Sequence, residues 1–276
     1  MQRDTLRRVV RTILKLLAAG LLALLVYWFA VNAFVHSELV FGTKVAIRTQ
    51  LGDDGRSLPV ARRGAREAAR WLNDIFGRPI SEQTSISLAR SGNCQWIENL
   101  VDEQSTAWNG SGRICVYTRR KLWKQQLAGE GGRNAEELVV HELIHSAQRE
   151  LGCVDEADHQ RFRWLMEGTA VYGAREALIL SGRRRPQETD AYIRKEGGYR
   201  RDLVALERFE TRSGDGAAYQ LWHRAVRRLA DQHGGAHALR DFCAAVGRGR
   251  EWHAAFADAF DLTPAAFYAE FERVRR

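Results

Sequence analysis

The segment HELIH, residues 141–145, carries the side chains with the clearest potential for chemistry. His141 and His145 are four positions apart, so on a helix both imidazoles project from one face and can bind one Zn²⁺ ion. Glu142 is one position round from His141, where its carboxylate can take a proton from water on the metal instead of coordinating. The spacing therefore predicts a metal site with a general base beside it.

A helix must hold these side chains, and the flanking sequence predicts one over residues 134–152. Asn134 with Glu137 three positions later fits a capping box, and Gly152 is a natural stop. An apolar side for packing is formed by Leu143, Ile144, Ala147 and Leu151. The alternative is an amphipathic helix whose two histidines are solvated or hydrogen-bonded, without a metal.

A catalytic zinc ion needs a third protein ligand and one open position. Glu167 follows His145 by 22 residues, in the segment RFRWLMEGTAVYGA. Asp155 and Glu156 are rival candidates, although they follow His145 so closely that a tight turn would be needed. The sequence therefore favours Glu167 and leaves two alternatives open.

HELIH followed by WLMEGTAVY resembles the gluzincin metallopeptidases, relatives of thermolysin and the aminopeptidases. Their pattern is HExxH on one helix and W-L-x-E-G-x-A on the next. The resemblance implies one Zn²⁺ per chain, with His141, His145 and Glu167 as ligands and Glu142 as general base. It covers roughly residues 86–276, strongly at the two zinc segments and weakly elsewhere, where the chain is similar to exported peptidases called peptidase MA-like.

The same resemblance implies two further features of the site. A tyrosine on a downstream helix can donate to the oxyanion; Tyr219 is the best match and Tyr172 the second. Such enzymes also hold the peptide against an edge strand, for which RICVYT, residues 113–118, is the candidate by strand addition.

Other positions depart from the family or are explained by packing. The Gly-x-Met-Glu-Asn motif of the aminopeptidase branch is absent, so exopeptidase action is not supported. The thermolysin branch has an aspartate four residues after its ligand glutamate to orient a zinc histidine, where this chain has Val171. Gly168 and Ala170 are small, which would let the second zinc helix cross the first closely.

The predicted fold class is α+β, a zincin-like (gluzincin) catalytic domain preceded by one transmembrane helix. A small sheet lobe is expected over about residues 38–133 and a helical lobe over about 134–276. The first lobe contains a helix from Ser57 to Gly77, strands at SISLAR, CQWI and RICVYT, and a helix near residues 119–129. Further helices are predicted to begin near Asn134, Asp158, Glu188, Gly216, Ala236, Glu251 and Thr263.

The N-terminal segment, residues 1–37, is predicted to be a basic cytoplasmic tail and a transmembrane anchor. Residues 16–35 form an apolar run, about 30 Å long as a helix, and the basic residues precede it. This arrangement predicts a single-pass protein of the inner membrane, with its N-terminus in the cytoplasm and its catalytic domain on the periplasmic or extracellular side. A cleavable signal peptide, with Val31 and Ala33 before the cut, is the alternative.

The four cysteines suggest disulfides in an exported domain. Three pairings are possible, and the sequence favours Cys94 with Cys115, leaving Cys153 and Cys243. The alternative is that the cysteines are small buried apolar residues. Because no CxxC spacing occurs, they are not expected to bind metal.

Composition excludes several classes of protein. With 45% hydrophobic and 28% charged residues, the chain is not disordered or of low complexity. Beyond Val40 it has 37 basic and 32 acidic residues, and its arginines are interspersed with acids. Nucleic-acid binding therefore has no specific support.

These features together predict a membrane-anchored, exported zinc metallopeptidase, an endopeptidase acting on a protein or peptide substrate. Two other functions stay open at this point. One is a gluzincin-like scaffold that recruits a partner without cleaving it, against which the intact Glu142 argues. The other is a zinc amidase acting on a cell-wall crosslink. The sequence does not give the oligomeric state.

Overall fold

The structure is a computed structural model that describes residues 2–32, 34–50, 55–80, 84–89, 107–110, 113–153, 162–196, 202–204 and 216–275. These ranges are mostly helical, with one small sheet. The helices are α1 (Gln2–Asn32), α2 (Ser57–Asp74), α3 (Lys121–Ala128), α4 (Arg133–Glu150), α5 (Arg163–Leu180), α6 (Pro186–Glu196), α7 (Gly216–Gln232), α8 (Gly235–Gly247), α9 (Trp252–Phe260) and α10 (Pro264–Arg275). The strands are β1 (Phe34–Leu39), β2 (Ala46–Gln50), β3 (Ser85–Ala89), β4 (Ala107–Gly110) and β5 (Arg113–Tyr117).

The sheet has the strand order β1-β2-β3-β5-β4. Its central strands β2, β3 and β5 are parallel, and the outer strands β1 and β4 are antiparallel to their neighbours. The central strands are buried because apolar residues such as Ile47, Ile86, Leu88 and Val116 are fully covered. Strand β5 was expected to be the edge that meets a substrate. This prediction is wrong, because β4 pairs with β5 and forms the edge itself.

Helices α2, α4, α5 and α7 pack in sequence against one another and form the core of the helical part. Four tryptophans pack in this structure: Trp123, Trp164 and Trp222 are fully buried, and Trp252 is nearly so. At the end of the chain, Thr263 caps α10 by accepting a hydrogen bond from the backbone N–H of Ala266 at 3.2 Å. Helix starts predicted near residues 216, 236, 251 and 263 are confirmed to within one residue.

Helix α1 does not support the predicted membrane anchor. Among the residues that the structure describes, no helix is long and apolar enough to cross a membrane. This finding overturns the transmembrane helix in the predicted fold class and the predicted single-pass location in the inner membrane.

One disulfide ties the end of α4 to α8. Cys153 and Cys243 are bonded, with their Cα atoms 4.7 Å apart, which confirms the predicted pairing. Cys115 is also disulfide-bonded. Its predicted partner Cys94 lies outside the described residues, as does the strand predicted at CQWI.

The start of α4 differs from the predicted capping box. The helix begins after Gly132, whose φ of 85° is the left-handed conformation that glycine adopts without strain, and no side chain caps it. Asn134 instead accepts a hydrogen bond from Arg184 at 3.1 Å, and Glu137 pairs with Arg184 at 3.0 Å. The two residues are therefore used for tertiary contacts.

Candidate metal centre

Two helices bring three potential ligands together. His141 and His145 project from α4 with their Nε2 atoms 3.0 Å apart. Glu167 approaches from α5, with Oε2 at 3.4 Å from Nε2 of His141 and 3.3 Å from Nε2 of His145. All three side chains are at most 13% exposed. This is a possible metal-binding triad, formed by the residues that the sequence favoured.

The geometry of the triad fits a tetrahedral ion. Ligand atoms that are each about 2.0–2.2 Å from a tetrahedral zinc ion lie about 3.3–3.5 Å from one another. The three separations in the triad are 3.0, 3.3 and 3.4 Å. Two imidazoles and one carboxylate also form one of the ligand sets that catalytic zinc uses. The separations and the ligand types are therefore compatible with one metal ion held between these three side chains.

The electrostatics of the cluster also suit a cation. Burial by itself would raise the pKa of Glu167, but the charge and hydrogen bonds of the two imidazoles hold that pKa well below its usual range. Burial would lower the pKa of His145, but the Glu167 carboxylate raises it to about 9. The Glu167 carboxylate thus stays ionised and favours a positive charge between itself and the imidazoles.

Gln148 orients one of the histidines. Nδ1 of His145 is 2.7 Å from Oε1 of Gln148, so Nδ1 carries the proton and Nε2 is free for a metal. The amide nitrogen of Gln148 donates to the backbone carbonyl of Met166, at 3.0 Å, which fixes the orientation of the amide. This role of Gln148 was not predicted from the sequence. Its position three residues after His145, on the same side of the helix, is the signal that could have indicated it.

Glu142 is buried beside the triad. Burial raises the pKa of its carboxyl, which the positive charges of His141 and His145 partly offset. A raised pKa makes a carboxylate a stronger base, which is a property that general bases in active sites share. The Glu142 carboxyl is therefore buried within reach of the charges of all three triad residues.

Only one of the two candidate tyrosines belongs to this site. Tyr219 on α7 has its ring centre 6.2 Å from the ring centre of His141. Burial raises the pKa of its hydroxyl, and the nearby Glu167 and Glu142 carboxylates raise that pKa further. Tyr172 instead packs against Trp71, with the ring centres 6.4 Å apart. The rival ligands Asp155 and Glu156 lie outside the described residues.

Arginines hold the start of α4 in place. Glu136 is fully buried and accepts hydrogen bonds from Arg63 on α2 and from Arg183, after α5. Glu137 accepts from Arg175 on α5 at 2.9 Å. Arg184, in the arginine-rich loop between α5 and α6, is only 7% exposed. The arginine-rich loop therefore anchors the helix that carries both histidines.

Gly168 was predicted to lie where α5 crosses α4. This prediction is wrong, because Gly168 lies against α7. A Cβ at Gly168 would lie 2.7 Å from Val226 Cγ2 and 2.8 Å from the backbone oxygen of Trp222. The close approach of α5 to α4 is at Gly173, where a Cβ would lie 2.7 Å from Ile144 Cδ1. Each glycine thus permits a different helix contact behind the triad.

We expect Gly168→Ala to lower the free energy of unfolding by about 1–3 kcal/mol, because backbone of α7 must move to admit the methyl group. Gly20→Ala is the matched control, since a Cβ there meets nothing within 4 Å, and it should stay within about 0.5 kcal/mol of wild type. Urea unfolding measures both. Equal stability of the two variants would contradict the packing described here.

Comparisons with known proteins add no further identification. No model of a protein family matches the chain, and no curated protein matches it in sequence.

Proposed function

We propose that this chain is a zinc-dependent peptidase of the gluzincin type that hydrolyses internal peptide bonds. One observation carries the proposal: the ligand atoms of His141, His145 and Glu167 lie 3.0–3.4 Å from one another, and Glu142 is buried next to them. A site used only for structural zinc usually has four protein ligands, whereas three potential ligands meet here among the residues that the structure describes. The additional carboxyl beside it supports hydrolysis over simple metal storage.

The residues of the site supply complementary parts of the chemistry. Zinc, when bound by the triad, would provide Lewis acidity toward the scissile carbonyl and the attacking water. Glu142 would take the proton from that water as it attacks and deliver it to the leaving amine. The balance is that of amide hydrolysis: one C–N bond breaks, one C–O bond forms, and one proton moves to nitrogen.

Tyr219 would stabilise the negative charge that develops on the carbonyl oxygen. Its ring adjoins His141, so a hydroxyl on that ring can reach the same region as the ligands. A preorganised donor of this kind commonly contributes several kcal/mol to the transition state.

The outer edge of β4 is the best candidate surface for a peptide substrate. β4 contacts α4, the helix of the histidines. Within the part of the chain that the structure describes, no strand pairs with the outer edge of β4. An extended peptide could add there by backbone hydrogen bonds, with its side chains facing alternate directions. This assignment replaces β5, which is internal to the sheet.

The test is digestion of a mixed peptide library by the purified full chain, before and after zinc is removed with a chelator and restored. We expect internal cleavages that disappear with the chelator and return with zinc. A zinc-loaded protein that cleaves nothing would contradict the peptidase proposal and favour the scaffold function.

A further inference from the structure

Arg175, on α5, is a buried cation that contacts both neighbouring helices of the candidate site. Its side chain is 3% exposed, and its Nε donates a hydrogen bond to Oε1 of Glu137 on α4 at 2.9 Å. Its Nη1 donates to Oε1 of Gln220 on α7 at 2.7 Å. One guanidinium therefore joins the helix of the two histidines and the helix of Tyr219 to the helix of Glu167.

The contact of Arg175 with α4 lies one helical turn from the triad. Glu137 precedes His141 by four positions, so the two side chains project from the same side of α4. Arg175 follows Glu167 by eight positions, about 12 Å along the axis of α5. The ion pair and the triad are thus two separate points at which α4 meets α5, and together they oppose rotation of one helix against the other.

The contact of Arg175 with α7 lies next to Tyr219. Gln220, which is 3% exposed, directly follows Tyr219, and His223 follows Tyr219 by four positions. Nδ1 of His223 lies 3.4 Å from the same Nη1 of Arg175. Burial and the positive charge of Arg175 hold the pKa of His223 well below its usual range, so the ring is neutral and Nδ1 accepts the hydrogen bond. Two residues of α7 are therefore held against α5 beside the candidate oxyanion donor.

Burial of the guanidinium makes these contacts costly to break. A cation that is almost wholly removed from water needs a partner of opposite charge, and loss of that partner is strongly destabilising. Glu137 is such a partner, and its other oxygen, Oε2, lies 3.0 Å from Nη1 of Arg184. A displacement of α4 from α5 would separate Arg175 from this carboxylate, so the attraction between the two charges opposes the displacement.

We propose that Arg175 is a positioning residue that holds the histidine pair and Tyr219 in place relative to Glu167. Its contact with Glu137 supports metal affinity through α4, and its contact with Gln220 supports the oxyanion contact through α7. The planar guanidinium suits both contacts because its nitrogens point in fixed, diverging directions, whereas the ammonium of lysine is a single point charge. The part concerning Tyr219 in catalysis rests on the proposed peptidase function. The part concerning zinc affinity does not.

The test uses the full chain with Arg175→Met, Gln220→Met and the double variant. In metal-free protein, urea unfolding measures the coupling of the two side chains. A hydrogen bond from a charged donor predicts that their effects on the folded-to-unfolded ratio are non-additive by about tenfold. Zinc affinity, measured by competition with a chromophoric chelator, should fall about tenfold in Arg175→Met. It should not change in Gln220→Met, because α7 contributes no residue to the triad.

Arg228→Met is the matched control. Arg228 is a half-buried arginine on α7 that also joins two helices: its Nε donates to Glu270 on α10 at 2.8 Å. It follows Tyr219 by nine residues, about 13 Å along the helix axis. Its loss should affect stability and leave zinc affinity unchanged. Should Arg175→Met fail to fold, Arg175→Lys takes its place. Gln220→Met should then cost less stability in that background than in wild type, and an equal cost overturns the proposal.

Three results overturn the proposal for Arg175: additive stability effects, wild-type zinc affinity in Arg175→Met, or an equal loss of zinc affinity in Arg228→Met. Peptide turnover gives a further readout, in which Gln220→Met should lower kcat in the wild-type background and not in Tyr219→Phe. An equal loss in both backgrounds contradicts the part that concerns Tyr219. If wild type binds zinc but cleaves no peptide, the peptidase proposal fails, and the measurements of stability and zinc affinity still decide the role of Arg175.

Discussion

Replacement of Glu142 by glutamine is expected to lower kcat on a cleaved peptide by about 10³-fold, the effect of removing a general base from a hydrolytic site. Glutamine has nearly the same shape as glutamate but cannot take a proton from water. The zinc content should not change, because Glu142 is outside the ligand triad. Initial rates at saturating peptide, with zinc measured on the same samples, check both statements.

Glu176→Gln is the control for this loss of activity. Glu176 lies on α5 and, like Glu142, has a pKa that burial raises, but its charged neighbours are Arg227, Asp190 and Asp231. The variant should therefore keep the turnover of wild type. Activity of Glu142→Gln within a few fold of wild type would show that another group removes the proton.

Replacement of Glu167 by alanine is expected to remove zinc binding at the concentrations at which wild type is saturated. The substitution takes away one of three protein ligands and leaves two imidazoles 3.0 Å apart without a neutralising carboxylate. The loss of affinity should exceed the roughly 10–100-fold that residues outside the ligand set contribute. Titration with zinc against a competing chelator measures it.

Glu176→Ala controls for the loss of a glutamate from the same helix. It lies nine residues after Glu167, and the triad does not include it. We expect its zinc affinity to equal that of wild type. A similar loss in both variants would mean that the substitutions act through the stability of α5 and not through coordination.

The sequence was sufficient to predict the residues whose relation is local. Two histidines four positions apart on a helix face the same side whatever surrounds the helix, so the His141–His145 pair followed from spacing alone. Glu167 lies 22 residues further on and was favoured by resemblance. The structure brings it to the histidines because α5 packs against α4.

Contacts made only after packing were not predictable. Asn134 and Glu137 fit a capping box in sequence, but Arg184 competes for both from a loop 50 residues away. Gln148 gained its role from a partner on a neighbouring helix, the Met166 carbonyl. A single sequence carries no signal for such pairings between elements.

The sheet edge shows the same limit. β4 contains Asn109 and Gly110, which disfavour strands, and it is not among the strands predicted from the sequence. The segment is extended because β5 offers a full set of backbone partners, with Asn109 opposite Ile114. Strand pairing with β5 overrides the low strand preference of these residues. The edge of the sheet is therefore β4, and not β5 as predicted.

The central claim is that His141, His145 and Glu167 bind one zinc ion. Elemental analysis of the purified full chain, stripped with a chelator, supplied with zinc and freed of excess, tests it most directly. We expect one zinc per chain in wild type and none in Glu167→Ala. A folded wild-type protein without stoichiometric zinc after this treatment would contradict the claim, and with it the proposed hydrolytic function.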